Sequence, residues 1–331
     1  GNYKFGNDWR PNSNFEMING YFNLKNKLNE KSSVSIEFTK MNYLAQQPGG
    51  LTDNQYNDNP LSSFRERNWF KVDWNLGAIQ YDYEFNSNTK LNSRTFGLMA
   101  SRKAIGNLEK PFYEIDYDQG RNIISGKFSN IGNETRLIHL YEFKSNPSAF
   151  LFGTRVYKGF NNSIQGNGSA SSEPDFDFTE DVINMNDSVL SKVTNYKFPS
   201  FNISLFGENI VNINNKLSVT PGFRYEFIST AADGKYRTQS LDLANNILWD
   251  SDTVISEYKL ENRDFFIFGI GLNYKAYKNT ELYTNFSQNY RSINFADMQI
   301  SNPNFKISPD LKDEKGYNID FGVRGNKSNK L

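Results

Sequence analysis

Two alternating segments between Phe198 and Phe227, joined by the short polar turn Asn212–Lys216, constrain the fold more than any other stretch. In each segment the apolar side chains share one parity, and polar or charged side chains take the other. Such alternation is typical of a β-strand with one apolar and one polar face. Each segment is long enough to cross a bilayer as a tilted strand, which takes about 9–11 residues. Because the polar face carries arginine and glutamate, we predict lipid on one side of the strands and water on the other.

Composition is compatible with a membrane protein only if the membrane is crossed by strands. The chain has 331 residues, with 37 basic and 37 acidic side chains, so no strong field attracts nucleic acid. It contains no run of about 20 apolar residues, which a spanning helix needs. A barrel wall needs apolar residues only at alternate positions, so a hydrophobic fraction of 37% is sufficient. The absence of cysteine excludes disulfides and thiolate metal sites.

The spacing of the predicted strands gives the architecture. About eleven strands are predicted, joined alternately by short turns and by long polar segments. Outer-membrane barrels have short turns on one rim and long loops on the other. We therefore predict an all-β fold, a transmembrane antiparallel β-barrel with its long loops on one rim. The longest predicted loops are Leu44–Arg67, Lys103–Gly132, Phe160–Lys197 and Ile228–Asn262, and the second of them has room for short strands of its own around Ile123–Phe128.

One predicted strand, Asn68–Phe85, changes phase. Its apolar side chains are even-numbered from Phe70 to Leu76 and odd-numbered from Ile79 onward. A β-bulge inserts one extra residue and would keep both halves on the same face. We therefore predict a bulge near Gly77.

Three motifs carry a resemblance to a known family. They are QQPGGLTDNQY from Gln46, LSVTPGFRYEF at Leu217–Phe227, and SPDLKDEKGYNIDFGVRG at Ser308–Gly325. With them the chain resembles TonB-dependent outer-membrane receptors of the ferric citrate receptor type. The resemblance implies a 22-stranded barrel around a plug domain. Residues 1–331 would then be part of one barrel domain, about half of its wall, with the plug and the closing strands outside this sequence.

The resemblance also implies a function. Such receptors capture a ferric chelate, of citrate or siderophore type, at the Gram-negative outer membrane. Import is driven by the TonB complex, which acts through the plug. The expected partners are thus a ferric chelate, TonB and outer-membrane lipid, with no nucleic acid. No cofactor is expected, since the ferric chelate would be the ligand.

Two candidate ligand-binding residues come from the same resemblance, Arg102 in ASRKAIGNL and Arg121 in DYDQGRNIISG. In the ferric citrate receptor, arginines above the plug hold the citrate carboxylates, and guanidinium groups suit this task because they pair bidentately with carboxylates. A third family arginine has no counterpart, because the corresponding stretch is acidic from Glu173 to Asp181. Citrate and a less anionic chelate therefore both stay open.

The other charged residues favour structural roles. Five side chains on polar faces are expected to point into the lumen and form a charge network: Arg155, Glu208, Arg224, Glu226 and Arg324. Two loop clusters resemble incomplete calcium loops and are interpreted as solvated: Asp116, Asp118 and Gly120, and Asp175, Asp177, Glu180 and Asp181. His139 is the only histidine and has no companion for a metal or catalytic site. With no nucleophile–base or phosphate-loop motif, we do not expect an enzyme.

Two alternatives remain from sequence. A passive outer-membrane porin or channel would have the same lumen polarity, and a plug domain upstream would argue against it. A surface β-protein with an adhesive role would be released without detergent, because it would have no lipid-facing band.

Overall fold

The computed structural model describes residues 1–6, 9–108, 120–179, 194–238, 253–293, 308 and 311–325. They form one 12-stranded antiparallel sheet whose strands follow one another in chain order. No helix in these ranges is long and apolar enough to cross a membrane. The one helix described, α1 (Asp53–Asp58), begins with a capping box between Thr52 and Gln55. The strands are β1 (Asn2–Gly6), β2 (Phe15–Lys27), β3 (Ser32–Gln46), β4 (Trp69–Asn86), β5 (Thr89–Gly106), β6 (Arg121–Phe143), β7 (Asn146–Gly168), β8 (Thr194–Asn212), β9 (Leu217–Thr238), β10 (Thr253–Tyr277), β11 (Thr280–Arg291) and β12 (Glu314–Gly325).

The connections sort to two rims as predicted. Residues 28–31, 87–88, 144–145, 213–216 and 278–279 make short turns at one rim, called here the turn rim. The long connections lie at the opposite rim, the loop rim. One of the two-residue turns consists of Lys144 and Ser145, with φ of 48° and 60°. Positive φ at both central residues matches the right-handed twist of the flanking strands.

Several strands extend well beyond their predicted ends. β7 continues to Gly168, where the sequence predicts a loop, and β6 begins at Arg121, so the short strand expected around Ile123–Phe128 is part of one long strand. β9 and β10 likewise replace most of the predicted loop after Ile228. Backbone pairing continues through these regions. Above the bilayer neither face meets lipid, so a strand there no longer needs one continuous apolar face, and the alternation that marked it disappears.

One face of the sheet is an exposed apolar band, called here the outer face. Phe268 lies opposite Phe223 in the β9–β10 ladder, and Ile270 lies opposite Pro221. Phe268 and Ile270 are 52% and 43% exposed, and Phe201 shares their face. The band carries nearly no charge along the half of each strand next to the turn rim. This is the ring of outward apolar side chains that the alternation predicted, and it suits contact with lipid.

The predicted bulge at Gly77 is wrong. Gly77 pairs in unbroken register with Phe38 on β3 and with Gly97 on β5. Consequently Ile79 lies on the outer face, whereas Trp74 and Phe70 lie on the opposite, inner face. The phase change therefore marks a change of surroundings along a regular strand: apolar residues face outward at bilayer depth and inward near the loop rim.

At the depth of the apolar band, the charged side chains lie on the inner face. Arg155 lies 3.8 Å from Glu134, and Arg324 lies 2.5 Å from Glu281. Arg224 is ion-paired with its near neighbour Glu226. These arginines and glutamates occupy the face that the alternation assigned to the lumen.

An arrangement of ring, glycine and arginine recurs three times on the inner face. A ring from one strand lies over a glycine of an adjacent strand, so that a Cβ at Gly132, Gly153 or Gly322 would come within 2.6, 2.4 or 2.3 Å of it. Each ring also has an arginine 5.4 to 6.0 Å from its centre. The three sets are Phe96, Gly132 and Arg155; Phe206, Gly153 and Arg224; and Tyr283, Gly322 and Arg324.

Candidate functional site

An aromatic patch lies on the inner face near the loop rim of β2 to β6. The rings of Phe15 and Tyr43 are 6.2 Å apart, and those of Tyr43 and Phe70 are 6.3 Å apart. Trp74, two alternation steps along β4 from Phe70, is 37% exposed. Phe128 on β6 completes the set. These five residues, the inner aromatic patch, present apolar surface to a polar lumen, and exposed apolar surface of this kind marks contact with a ligand or another protein domain.

Arg102 lies inside this patch. It pairs with Val72 on β4 and with Gly126 on β6, so its side chain shares the inner face with Trp74 and Phe128. A Cβ at Gly126 would lie 3.1 Å from the Phe128 ring, which therefore covers the glycine beside Arg102. Arg102 is exposed, and no ion pair or side-chain hydrogen bond joins it to another described residue. A guanidinium among aromatic rings can bind an anionic group and stack at the same time.

Arg121 has a different setting. It lies an odd number of residues from Gly126 on β6, so it is on the outer face, opposite to Arg102. It is 1% exposed. Its Nε donates to the Ser169 carbonyl at 3.0 Å, and Nη1 donates to the carbonyls of Arg67 at 3.1 Å and Glu173 at 2.8 Å. The structure thus separates the two candidate arginines, and ligand contact by Arg121 stays a prediction.

Arg121 anchors a segment that covers the outer face above the apolar band. Residues 169–179, the covering segment, cross the upper ends of β4 to β6. Phe176 packs against Ile105 and Ile123, which are fully buried. Trp69 Nε1 donates to the Ser172 carbonyl at 2.7 Å, and Arg67 Nη1 donates to the Ala170 carbonyl at 2.9 Å. The polar composition of this segment predicts a solvated loop, and this prediction is wrong for the part around Phe176. The isolated aromatics Phe176 and Phe178 are the feature of the sequence that could have indicated packing.

The position of the covering segment bears on the acidic stretch Glu173–Asp181. Its described residues, through Thr179, lie against the outer face and do not cover Arg102 on the inner face. The described part of this acidic stretch is therefore not placed to repel an anionic chelate bound at Arg102. Asp116, Asp118, Glu180 and Asp181 lie outside the described residues. Among the described ones no group of three or more metal-binding side chains occurs, and His139 contacts Thr89 Oγ1 through Nδ1 at 2.9 Å.

A second polar centre ties the segment before β12 to the sheet. Arg263 Nε donates to both carboxylate oxygens of Asp313 at 2.9 and 2.7 Å, and Nη1 donates to Thr230 Oγ1 at 2.8 Å. Tyr290 and the Ile293 N–H also donate to Asp313. Burial alone would raise the pKa of Asp313, but these hydrogen bonds and the Arg263 charge outweigh it and lower the pKa below its ordinary value.

Comparison with known proteins agrees with this architecture. The family model described as "TonB dependent receptor-like, beta-barrel" matches residues 4–331. The chain belongs to the TonB-dependent receptor β-barrel family. Members of this family are outer-membrane proteins of Gram-negative bacteria, and the family is one of receptors and transporters, not of enzymes. No curated protein sequence matches the chain.

Solved structures of this family share the fold. The chain is similar to the ferric citrate transporter FecA in its unliganded form, with 16% identity, a TM-score of 0.70, and coverage of 98% of this chain and 43% of that one. It is also similar to the ferric yersiniabactin uptake receptor FyuA from Yersinia pestis, with 10% identity, a TM-score of 0.70, and coverage of 98% of this chain and 46% of that one. For the copper transporter OprC the identity is 11%, the TM-score is 0.69, and the coverage is 98% of this chain and 46% of that one. The receptor segment described here thus spans less than half the length of these structures.

Proposed function

We propose that the receptor containing this segment binds a ferric chelate at the outer membrane and imports it with energy from the TonB complex. Membership of the TonB-dependent receptor family supports this proposal, as do structural neighbours named for ferric citrate and ferric yersiniabactin. The segment would then be about half of a barrel wall, closed by further strands around a plug domain. Because one neighbour is named for copper, the cargo must be argued from the site.

The observation that carries the ligand proposal is the exposed Arg102 within the inner aromatic patch. One guanidinium beside several rings suits a chelate that has both an anionic edge and flat apolar groups. A polyanion such as citrate needs several cations, and Arg102 is the one cationic side chain that the described residues place among the five rings of this patch. We therefore favour a siderophore with aromatic groups over citrate. Arg121 would act at a distance, by holding the covering segment.

Trp74 provides a direct measurement, because a bound iron chelate would quench its fluorescence. The full-length receptor is titrated with a ferric catecholate and, separately, with ferric citrate. Arg102→Ala should weaken catecholate binding roughly tenfold to a hundredfold, the range for a charged hydrogen bond. Arg94→Ala is the matched control, since Arg94 lies on the same strand and face but is paired with Glu37 at 2.7 Å. Equal affinity of wild type and Arg102→Ala would overturn the assignment.

Transport is tested separately in cells. Uptake of the radioactive iron chelate should require both the receptor and a functional TonB system. Uptake that continues unchanged without TonB would instead identify a passive channel. A receptor released from membranes without detergent would support neither transporter nor channel.

A further inference from the structure

Three lysines form a cluster on the outer face, just above the apolar band. Lys71 and Lys103 lie directly opposite each other in the β4–β5 ladder. Lys127 lies opposite Ser101, two residues from Lys103 on the same face, and is therefore a diagonal neighbour. These three residues, the outer lysine cluster, belong to three adjacent strands. Like charges placed directly opposite each other destabilise a sheet unless something else neutralises them.

The protein itself supplies little of that neutralisation. No ion pair within the described part of the chain includes Lys71, Lys103 or Lys127. The nearest acidic side chain in the sheet, Asp73, accepts hydrogen bonds from Asn42 at 2.8 Å and Asn75 at 2.7 Å, and Lys40 is 4.0 Å away. Lys71 Nζ lies 5.9 Å from the ring of Phe176 on the covering segment. Asp175 and Asp177, the sequence neighbours of Phe176, form no ion pair with Lys71.

The depth of the cluster indicates what could neutralise it. A strand tilted by about 45° crosses an apolar band of about 25 Å in about 11 residues. On β5 this places Met99, which is 70% exposed, near the upper edge of the band. Lys103 is two outward positions beyond Met99, and Lys71 and Lys127 flank it. The ammonium groups therefore stand at the depth of the headgroups of the outer leaflet, on the side of the wall that faces lipid.

We propose that the outer lysine cluster binds the phosphate groups of a phosphorylated glycolipid of the outer leaflet, of the lipid A type. The acyl chains of that lipid would lie along the apolar band below, against Met99 and its outward neighbours. The phosphates would neutralise the opposed lysines. This site is on the opposite face of the wall from Arg102 and is independent of the transported ligand.

Native mass spectrometry of the full-length receptor tests the proposal. The protein is purified in detergent, stripped of endogenous lipid, and titrated with bisphosphorylated lipid A or with the same lipid after removal of both phosphates. Wild type should prefer the bisphosphorylated form. The triple variant Lys71→Gln, Lys103→Gln and Lys127→Gln should bind it ten- to a hundredfold more weakly, as expected for lysines near an anionic surface.

Three controls make the result decisive. The triple variant Lys31→Gln, Lys216→Gln and Lys278→Gln removes the same charge from the turn rim and should bind lipid A like wild type. Arginine at the three cluster positions should retain binding, which shows that a folded wall with the same charge is sufficient. Inorganic phosphate should not compete at millimolar concentration. Equal binding of both lipids by wild type, or an equal loss in the turn-rim variant, would overturn the proposal.

Discussion

Among single residues, burial decides what an arginine does in this wall. Arg102 and Arg121 were predicted for the same task, but one is exposed among rings and the other is enclosed by backbone carbonyls. A buried guanidinium whose donors are already used stabilises the protein, and releasing it for a ligand would leave those carbonyls unsatisfied. Sequence could identify the residue type but not this difference, because the carbonyls belong to two segments, 48 to 54 residues away on either side of Arg121.

Replacement of Arg121 by alanine should release the covering segment. The carbonyls of Ser169, Glu173 and Arg67 would each lose a donor, at a cost of about 1–3 kcal/mol for each one that stays buried. Limited proteolysis of the full-length receptor should then cut within residues 169–179 much faster than in wild type, whereas Arg102→Ala should not change the cutting rate. Weakened chelate binding without faster proteolysis would favour ligand contact by Arg121.

The centre at Asp313 should make stability depend on acid pH. Because the pKa of Asp313 is lowered in the folded protein, its stabilising effect is complete above the ordinary value of 3.8 and is lost as pH falls through the lower, folded value. Asp313→Asn should therefore lower the Tm at pH 7, and the difference from wild type should shrink at pH 3. Glu314→Gln, which removes an exposed ion pair with Arg291, should change little at either pH. A pH-independent effect of Asp313→Asn would contradict this account.

At the level of strands, alternation predicts structure only where lipid enforces it. The part of the β8–β9 hairpin between Phe198 and Phe227 could be predicted residue by residue, since its outer face lies in the bilayer. The upper half of β4 was misassigned, and most of the upper parts of β6 and β7 was missed, because no lipid contacts either face there and parity is no longer required. For the same reason the inner aromatic patch, whose rings lie on the inner face near the loop rim, could not be predicted.

The glycines under inner-face rings give a test at this scale. Gly132→Ala or Gly153→Ala places a Cβ within 2.6 or 2.4 Å of a ring and within 3.1 or 3.0 Å of a backbone oxygen, so the ladder must shift. We expect a loss of about 1–3 kcal/mol in unfolding free energy for each, the usual cost of overpacking. Gly20→Ala is the control, because nothing lies within 4 Å of its added Cβ. Equal denaturant midpoints for all three variants would contradict the expectation.

For the molecule as a whole, the decisive property is that its two faces meet different solvents. Fold class and rim asymmetry followed from this property at the sequence level. It also predicts that the same substitution has opposite consequences on the two faces of one wall. The exposed apolar band and the ion-paired inner face are the structural counterparts of that prediction.

Two leucines at similar depth, one on each face, allow the cost of an introduced arginine to be compared between the two faces. Leu272 lies on the outer face within the band, and Leu151 lies on the inner face opposite Glu208. Leu272→Arg should cost about 2–4 kcal/mol near mid-depth, while Leu151→Arg can pair with Glu208 and should cost little. Folding of the full-length receptor into lipid vesicles, followed by denaturant titration, gives both values. Similar losses for the two variants would show that the outer face does not meet hydrocarbon.

The order of the strands has a consequence for how the protein forms. Every strand from β2 to β11 pairs only with its immediate predecessor and successor along the chain. The sheet could therefore form one hairpin at a time, because each new strand pairs with the strand that precedes it in the chain. In the closed barrel proposed above, only the pairing of the first and last strands would require a long-range search, so that step should limit the rate of folding.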